Sequence, residues 1–236
     1  MLNLYITSSE RYSGKTFIAA GIAATMQSLG YSTSVYKPIQ TSGIEINGFT
    51  QSRDLTYIKT IDPYINTQFS YLFKENSEPI IASEIENNPI NIDNILNDYK
   101  KSSGECTILD GDNGILSPIC ANIQTADMIK KLNIPIIIVT TPSENAINNT
   151  LMTIFAAQEK NIDVRGVIIN NISNDCSKTL LTSIPRVIEE FTNIKVLGLV
   201  PKLPPKYSPE DLITAILNGI DIESIFNVKI EKLDMN

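Results

Sequence analysis

The sequence predicts an α/β fold, a mainly parallel sheet with helices on both faces. Three observations lead there. Apolar strand-like stretches alternate with helical periodicity through most of the 236 residues, and that alternation builds a covered parallel sheet. Pro135-Ile136-Ile137-Ile138-Val139 is a continuous apolar run, the mark of a central strand buried on both faces. The chain also opens with strand, polar loop, Gly14-Lys15-Thr16 and helix, the context in which a loop can hold phosphate.

Residues 2–7 read as the first strand and residues 8–16 as the polar loop. Phe17, Ile18, Ala20, Ile22, Ala24 and Leu29 continue as a helix, with Gly30 as its stop. In such a loop, successive backbone N–H groups curl around phosphate oxygens. The helix N-terminus adds about half a positive charge. Lys15 can reach terminal phosphates as a mobile point charge, and the Thr16 hydroxyl is placed to ligate Mg²⁺. These features make the fold P-loop NTPase-like. The full G-x-x-x-x-G-K-[ST] spacing is broken, because Ser9 stands where the first glycine belongs. A left-handed serine there would cost about 1–2 kcal/mol if the loop keeps its shape.

Residues 33–36 form the next strand and deliver Lys37-Pro38 at its end. Pro38 forces Lys37 into an extended backbone. Lys37 then lies on the strand-end rim where open α/β sheets bind ligands, or it is a surface lysine closing the strand. Gln40-Thr41-Ser42-Gly43 is a polar loop. Ser52-Arg53-Asp54 opens a helix over Leu55, Ile58 and Lys59. Asp54 sits near that start, where capping competes with a metal role. Residues 62–76 show no regular pattern. Residues 78–86 and 92–99 read as helices, the second with Ile92, Ile95, Leu96 and Tyr99 on one face.

Residues 106–110 are an apolar strand ending in Asp110, the pattern of a Walker-B-type Mg²⁺ ligand. Gly111 and Gly114 permit close backbone approach to a ligand. Residues 127–132 and about 144–160 are helical, and the N-terminal N–H groups of the second can hold a carboxylate. A strand at 164–169 ends in Asn170-Asn171. A helix at 177–191 and a strand at 196–200 follow. Pro201-Lys202-Leu203-Pro204-Pro205 breaks the pattern, and one or two helices occupy 209–226. We read residues 1–236 as one ATP-binding domain, with 205–236 as a C-terminal helical tail.

Composition narrows the function. The net charge is −7, with no basic stripe, so a dedicated nucleic-acid binder is not expected. There are no histidines, which excludes His-based triads, His-ligated zinc and histidine general bases. Three cysteines without a C-x-x-C pair suggest reduced thiols and a cytoplasmic protein. The N-terminus shows no signal-sequence pattern. The longest apolar run, 134–139, is too short to cross a bilayer.

The order of these residues resembles dethiobiotin synthetase, a P-loop ATP-dependent ligase family of biotin synthesis. The resemblance runs from residue 2 to about 204. It rests on Gly14-Lys15-Thr16, Tyr36-Lys37-Pro38-Ile39-Gln40-Thr41 and Asp54, with Phe73, Pro79 and Glu86. Asp110-Gly111 with Gly114, Ala146-Ile147-Asn148, Gly166-Val167-Ile168-Ile169-Asn170 and Gly198-Leu199-Val200-Pro201 complete it. The resemblance implies an ATP- and Mg²⁺-dependent cyclo-ligase working as a homodimer. In that family 7,8-diaminopelargonate takes up CO2 as a carbamate. ATP converts the carbamate to a carbamic–phosphoric anhydride, and the second amine closes the ring. Carried over, Lys15 and Lys37 are catalytic, and Thr16, Asp54 and Asp110 hold Mg²⁺. Arg11, Tyr12, Ser13, Gly14, Lys15 and Thr16 bind the phosphates of ATP, while Asn170, Pro201 and Lys202 face its base. Thr41 and Gly111 meet the substrate. Asn145, Ala146, Ile147 and Asn148 take its carboxylate across a dimer interface.

The chain departs from the family pattern at several points. Arg11 replaces a threonine, and Asp110 replaces a glutamate. Asp112-Asn113 stands where Ala-Gly is usual. Arg11 is expected to reach the γ-phosphate or the carbamate and to offset the extra charge of Asp112, or else to point into solvent at the loop tip. The competing readings are a related ligase with another substrate and a partitioning- or amidoligase-type P-loop ATPase acting as a nucleotide switch. The partitioning ATPases carry a second lysine early in the loop, and residues 8–13 contain none.

Overall fold

The computed structural model describes residues 1–102 and 104–230. The last six residues of the expected tail lie outside them. From the N-terminus run β1 (Leu2–Ser8), α1 (Lys15–Ser28), β2 (Thr33–Gln40), β3 (Ile44–Ile46), β4 (Phe49–Gln51), α2 (Arg53–Ile61) and β5 (Asn66–Leu72). Then come α3 (Pro79–Ile85), α4 (Ile92–Lys101), β6 (Cys106–Asp110), β7 (Pro118–Cys120), β8 (Ile123–Gln124) and α5 (Thr125–Leu132). The chain continues with β9 (Ile136–Thr140), α6 (Ala146–Glu159), β10 (Val164–Ile172), α7 (Lys178–Thr192), β11 (Val196–Pro201), α8 (Pro209–Gly219) and α9 (Ile222–Phe226).

Seven strands form one parallel sheet in the order β11-β10-β9-β1-β6-β2-β5. Because side chains alternate along a strand, the sheet feeds two cores. Leu4, Ile6, Cys106, Ile108, Ile137, Val139 and Ile168 face the side covered by α1, α2, α8 and α9. Tyr5, Leu109, Ile136, Ile138, Val167 and Ile169 face the side covered by α4, α5, α6 and α7. Both faces of β1, β6 and β9 are therefore apolar, as their unbroken runs require. Asparagine closes several helices: Asn133, Asn193 and Asn227 take left-handed conformations after α5, α7 and α9, a position asparagine tolerates.

Two strand assignments differ from the expectation. Residues 66–72, expected to be irregular, form the edge strand β5 paired with β2. Its mixed residues, Asn-Thr-Gln-Phe-Ser-Tyr-Leu, are half-buried or exposed without regular alternation except for buried Tyr71, because an edge strand is covered on fewer sides. β2 also continues past Lys37 to Gln40. Its last pair with β6 is Tyr36 with Leu109, whereas pairing with β5 continues to Gln40. Pro38, which has no N–H to donate, thus lies where only one neighbour remains. The hairpins β3–β4 and β7–β8 had no separate signal in the sequence. No helix among the described residues is long and apolar enough to cross a membrane.

Gly21 sets the approach of α8 to α1. A Cβ there would stand 2.5 Å from Ile216 Cγ1 and 3.1 Å from Leu212 Cδ1. Gly21→Leu should overpack this seam and cost about 1–3 kcal/mol, read as a lower urea midpoint. An unchanged midpoint would show that α8 does not rest on α1 in this way.

Candidate active site

All strands of the sheet are parallel, so the carboxyl ends of β1, β2, β6, β9 and β10 meet on one rim. The loop after β1 is shaped there by close packing. Gly14 adopts φ +86°, and a Cβ on it would fall 2.2 Å from Asn170 Nδ2. That same Asn170 amide donates to the Ser13 carbonyl at 2.8 Å. Glycine is therefore required at 14, and β10 holds the loop in place. The strain expected at Ser9 does not arise. Positive φ in this loop falls on Tyr12, at 60°, and on Gly14. Ser9 donates through N–H to Val139 at 3.1 Å and through its hydroxyl to Thr140 at 2.9 Å. It is thus tied to β9 and needs no left-handed backbone.

Sequence reasoning missed Glu10. Its carboxylate accepts from the Thr141 N–H at 3.2 Å, the Thr141 hydroxyl at 2.6 Å and the Ser143 hydroxyl at 3.1 Å. This ties the phosphate loop to the turn leading into α6. Its partners lie more than a hundred residues away in sequence, so no local pattern could mark it.

At the centre of the rim stands Lys37, 1% exposed. Its Nζ lies 2.5 Å from Asp54 Oδ2 and 2.9 Å from Asp110 Oδ2, and it donates to the Gly111 carbonyl at 3.4 Å. The Thr16 hydroxyl donates to the same Asp110 oxygen at 2.8 Å. The structure thus brings Thr16, Lys37, Asp54 and Asp110 together from four elements. Asp54 does not cap α2. The Ser52 hydroxyl accepts from the Leu55 N–H at 3.0 Å, and it also donates to Gln40 at the end of β2. With the cap filled, the Asp54 carboxylate turns to Lys37.

Burial alone would pull the Lys37 ammonium down, but Asp110 and Asp54 outweigh it and hold the group charged, raised above the ordinary lysine value. Burial pushes the Asp110 carboxyl up, against the pull of Lys37. Lys15 donates to the Ser8 hydroxyl at 3.0 Å. Burial and then the like charge of Lys37 lower it. Lys37 is already neutralised by its two carboxylates, so an anion in the cleft would chiefly relieve Lys15. Asp110 Oδ1 is buried without a hydrogen-bond partner. An orphaned carboxylate oxygen beside the Thr16 hydroxyl and Asp54 is a hard-oxygen donor set that suits a divalent cation. Among the described residues no group of three or more His, Cys, Asp or Glu could hold a metal, so a cation there would need ligand oxygens or water as well.

Two clefts open on either side of Tyr12 and Gly14. One, of about 310 Å³, is lined by Arg11, Lys15, Thr16, Lys37, Thr41, Asp54, Gly111 and Asp112 among others. The other, of about 290 Å³, is lined by Ser13, Phe17, Asn170, Pro201, Lys202, Leu203 and Tyr207 among others. Asn145, Ala146, Ile147 and Asn148 line neither. Ala146 packs inward, while Asn145 and Asn148 are exposed at the start of α6. Arg11, 67% exposed, approaches Glu78 at 3.9 Å. No ion pair joins it to Asp112, which is held by Thr41 through N–H and hydroxyl, both at 2.9 Å.

Removing the Lys37 charge leaves two carboxylates facing each other, one of them fully buried. Lys37→Met should therefore cost about 3–5 kcal/mol of stability. Adding Asp110→Asn should recover part of that loss, since the two groups are coupled. Urea denaturation of the single and double variants checks both. Additive losses would mean that the pair does not interact.

The family described as AAA domain matches residues 2–210. The ATP-dependent dethiobiotin synthetase BioD of Bacillus licheniformis is 31% identical over 232 residues, covering 96% of this chain and 97% of that protein. The synthetase of the same name from Nitrosopumilus maritimus is 29% identical, covering 95% and 99%. Among solved structures, the MinC:MinD cell division complex of Aquifex aeolicus aligns with a TM-score of 0.58 at 16% identity, covering 96% of this chain and 94% of that one. MinD with Mg-ADP from Pyrococcus horikoshii aligns at 0.57 and 14% identity, covering 91% and 86%. These structures share the P-loop NTPase-type fold, and at such low identity the likeness extends to the fold alone. The near full-length match to the curated enzymes goes further: the chain belongs to the ATP-dependent dethiobiotin synthetase family.

Proposed function

We infer that this chain is an ATP- and Mg²⁺-dependent cyclo-ligase that closes 7,8-diaminopelargonate and CO2 into dethiobiotin. The observation that carries the reading is Lys37, held charged at the rim between Asp54 and Asp110 beside Lys15 and Thr16. The chemistry asks the protein for position and positive charge more than for a covalent group. One substrate amine attacks CO2 and gives up a proton, forming a carbamate. The carbamate oxygen attacks the γ-phosphorus and ADP leaves, giving a carbamic–phosphoric anhydride. The second amine then attacks the carbonyl carbon, phosphate departs and a proton is released.

Each residue has a place in this scheme. Lys15 and the loop N–H groups of Tyr12, Ser13 and Gly14 hold the phosphates. Lys37 neutralises the carbamate and the transferring phosphoryl group. Thr16, Asp54 and Asp110 would hold Mg²⁺, with the unpartnered Asp110 Oδ1 as the open oxygen. The cation would supply charge neutralisation at the phosphate oxygens. Arg11, exposed at the cleft mouth, reaches the γ-phosphate. Asn170, Pro201 and Lys202 line the second cleft, which is sized for the base. Gly111 lines the substrate cleft, although the side-chain space it leaves is filled by Tyr5 and the Ile6 carbonyl, and Thr41 meets the substrate's amine end. Asn145, Ala146, Ile147 and Asn148 bind its carboxylate from the partner subunit of a homodimer, which accounts for their absence from both clefts. The free cysteines fit a cytoplasmic enzyme.

An ADP-release assay tests the reading. Release should require ATP, Mg²⁺, 7,8-diaminopelargonate and bicarbonate together, and omission of any one should stop it. Lys37→Gln should lower turnover about a hundredfold or more while ATP still binds, as for loss of a preorganised electrostatic donor. ADP release that ignores the diamine would instead favour a nucleotide switch.

Met152 and Phe155 on α6 are 61% and 50% exposed, an apolar face beside Asn148 for a second copy to cover. Sedimentation at assay concentration should therefore give a dimer, and Phe155→Glu should shift it toward monomer with loss of activity. A fully active monomer overturns the shared-site arrangement.

A further inference from the structure

The cleft is polarised along its length, and the polarity follows from which hydrogen atoms are already committed. At the phosphate-loop end it presents the donors of Lys15 and the backbone N–H groups, with the charge of Lys37 behind them, its three N–H already directed at Asp54, Asp110 and Gly111. At the other end stands Thr41. Its N–H and its hydroxyl both donate to Asp112 Oδ2 at 2.9 Å. A hydroxyl has one proton and two lone pairs. With that proton spent on Asp112, Thr41 can only accept from a ligand. The two donors also fix the Asp112 carboxylate and occupy one of its oxygens. Among the described residues no lysine or arginine lies within ion-pair distance of Asp112, although its charge favours the cationic forms of Lys15 and Lys37, and it lines the same cleft as Thr41. This end therefore offers acceptors: the second carboxylate oxygen of Asp112 and the lone pairs of Thr41.

Such an end rejects phosphate and carboxylate and accepts a group that carries only N–H donors. We propose that Asp112, oriented by Thr41, is the specificity-determining residue that binds the substrate's uncarboxylated amine, as a primary alkylammonium or amine. This deepens the functional reading and rests on it. The cleft then holds the two ends of the reacting group by opposite polarity, the anionic carbamate at Lys15 and Lys37 and the amine nitrogen at Asp112. A substrate with a single amine has no group for this acceptor end. The negative charge of Asp112 is thus placed at the amine end, where Thr41 stabilises it.

The test is steady-state kinetics on the full chain with Asp112→Asn and Asp112→Ala, varying 7,8-diaminopelargonate and ATP separately and recording Tm. Asn keeps the shape and the Thr41 contact but removes the charge. The expected result is a rise of at least tenfold in KM for the diamine in both variants. KM for ATP should be unchanged or lower, because a negative charge has left the cleft, and Tm should stay near that of the unaltered chain. An unchanged diamine KM overturns the proposal. So does an equal rise in both KM values with a fall in Tm, which marks a structural role, or a shift confined to Mg²⁺ dependence, which marks a cation ligand. Failure of the functional reading looks different: the unaltered chain then shows no diamine-dependent ADP release at all, and the amine assignment falls with it.

Discussion

One buried cation organises the rim. Lys37 is enclosed by the sheet and neutralised by Asp54 and Asp110, which come from α2 and β6. A lone ammonium at that depth would lose its proton, and two carboxylates at that spacing would repel each other. Together they are stable, and the stability is conditional. Strand β2 must continue past its last pair with β6, α2 must start where Ser52 can cap it, and β6 must end at Asp110. Each condition is met by a local feature, and the ion group is where those features converge.

The phosphate loop depends on the same kind of distant support. Gly14 is pressed against Asn170, Ser9 is bonded to β9, and Glu10 is held by Thr141 and Ser143. The loop therefore keeps its shape without the usual first glycine, since its conformation is fixed by neighbours as much as by its own backbone freedom. Glu10 also joins the loop to the turn before α6. The loop after β1 and the turn before α6 thus share one hydrogen-bonded unit.

The charges of the cleft are balanced by position more than by number. Lys15 and Lys37 stand at one end, where burial and the charge of Lys37 disfavour the Lys15 cation, while Asp112 is held by Thr41 at the other. This separation of donors from acceptors gives the cleft a direction. A ligand with an anionic end and an amine end would lie along it in one orientation only, which is the requirement for joining two groups of one molecule.

Much of this was legible in the residues themselves. Apolar runs buried on both faces have one inexpensive solution, a parallel sheet covered by helices, so the fold class, β1, β6, β9 and the helix after Gly14-Lys15-Thr16 follow from composition and period. Asp110 at the end of an apolar strand and Lys37 beside a proline are local patterns too. The edge strand β5 was not legible, because a half-covered strand has no strong alternation to read. Neither were the contacts of Glu10, Ser9 and Asp112. Each is a polar group whose partner lies far along the chain, and a sequence records what a side chain can donate or accept but not which distant group folding brings to it. The parallel sheet decided that, by gathering the ends of β1, β2, β6, β9 and β10 on one rim, where desolvation makes every unpaired charge costly and so selects the pairings that remain.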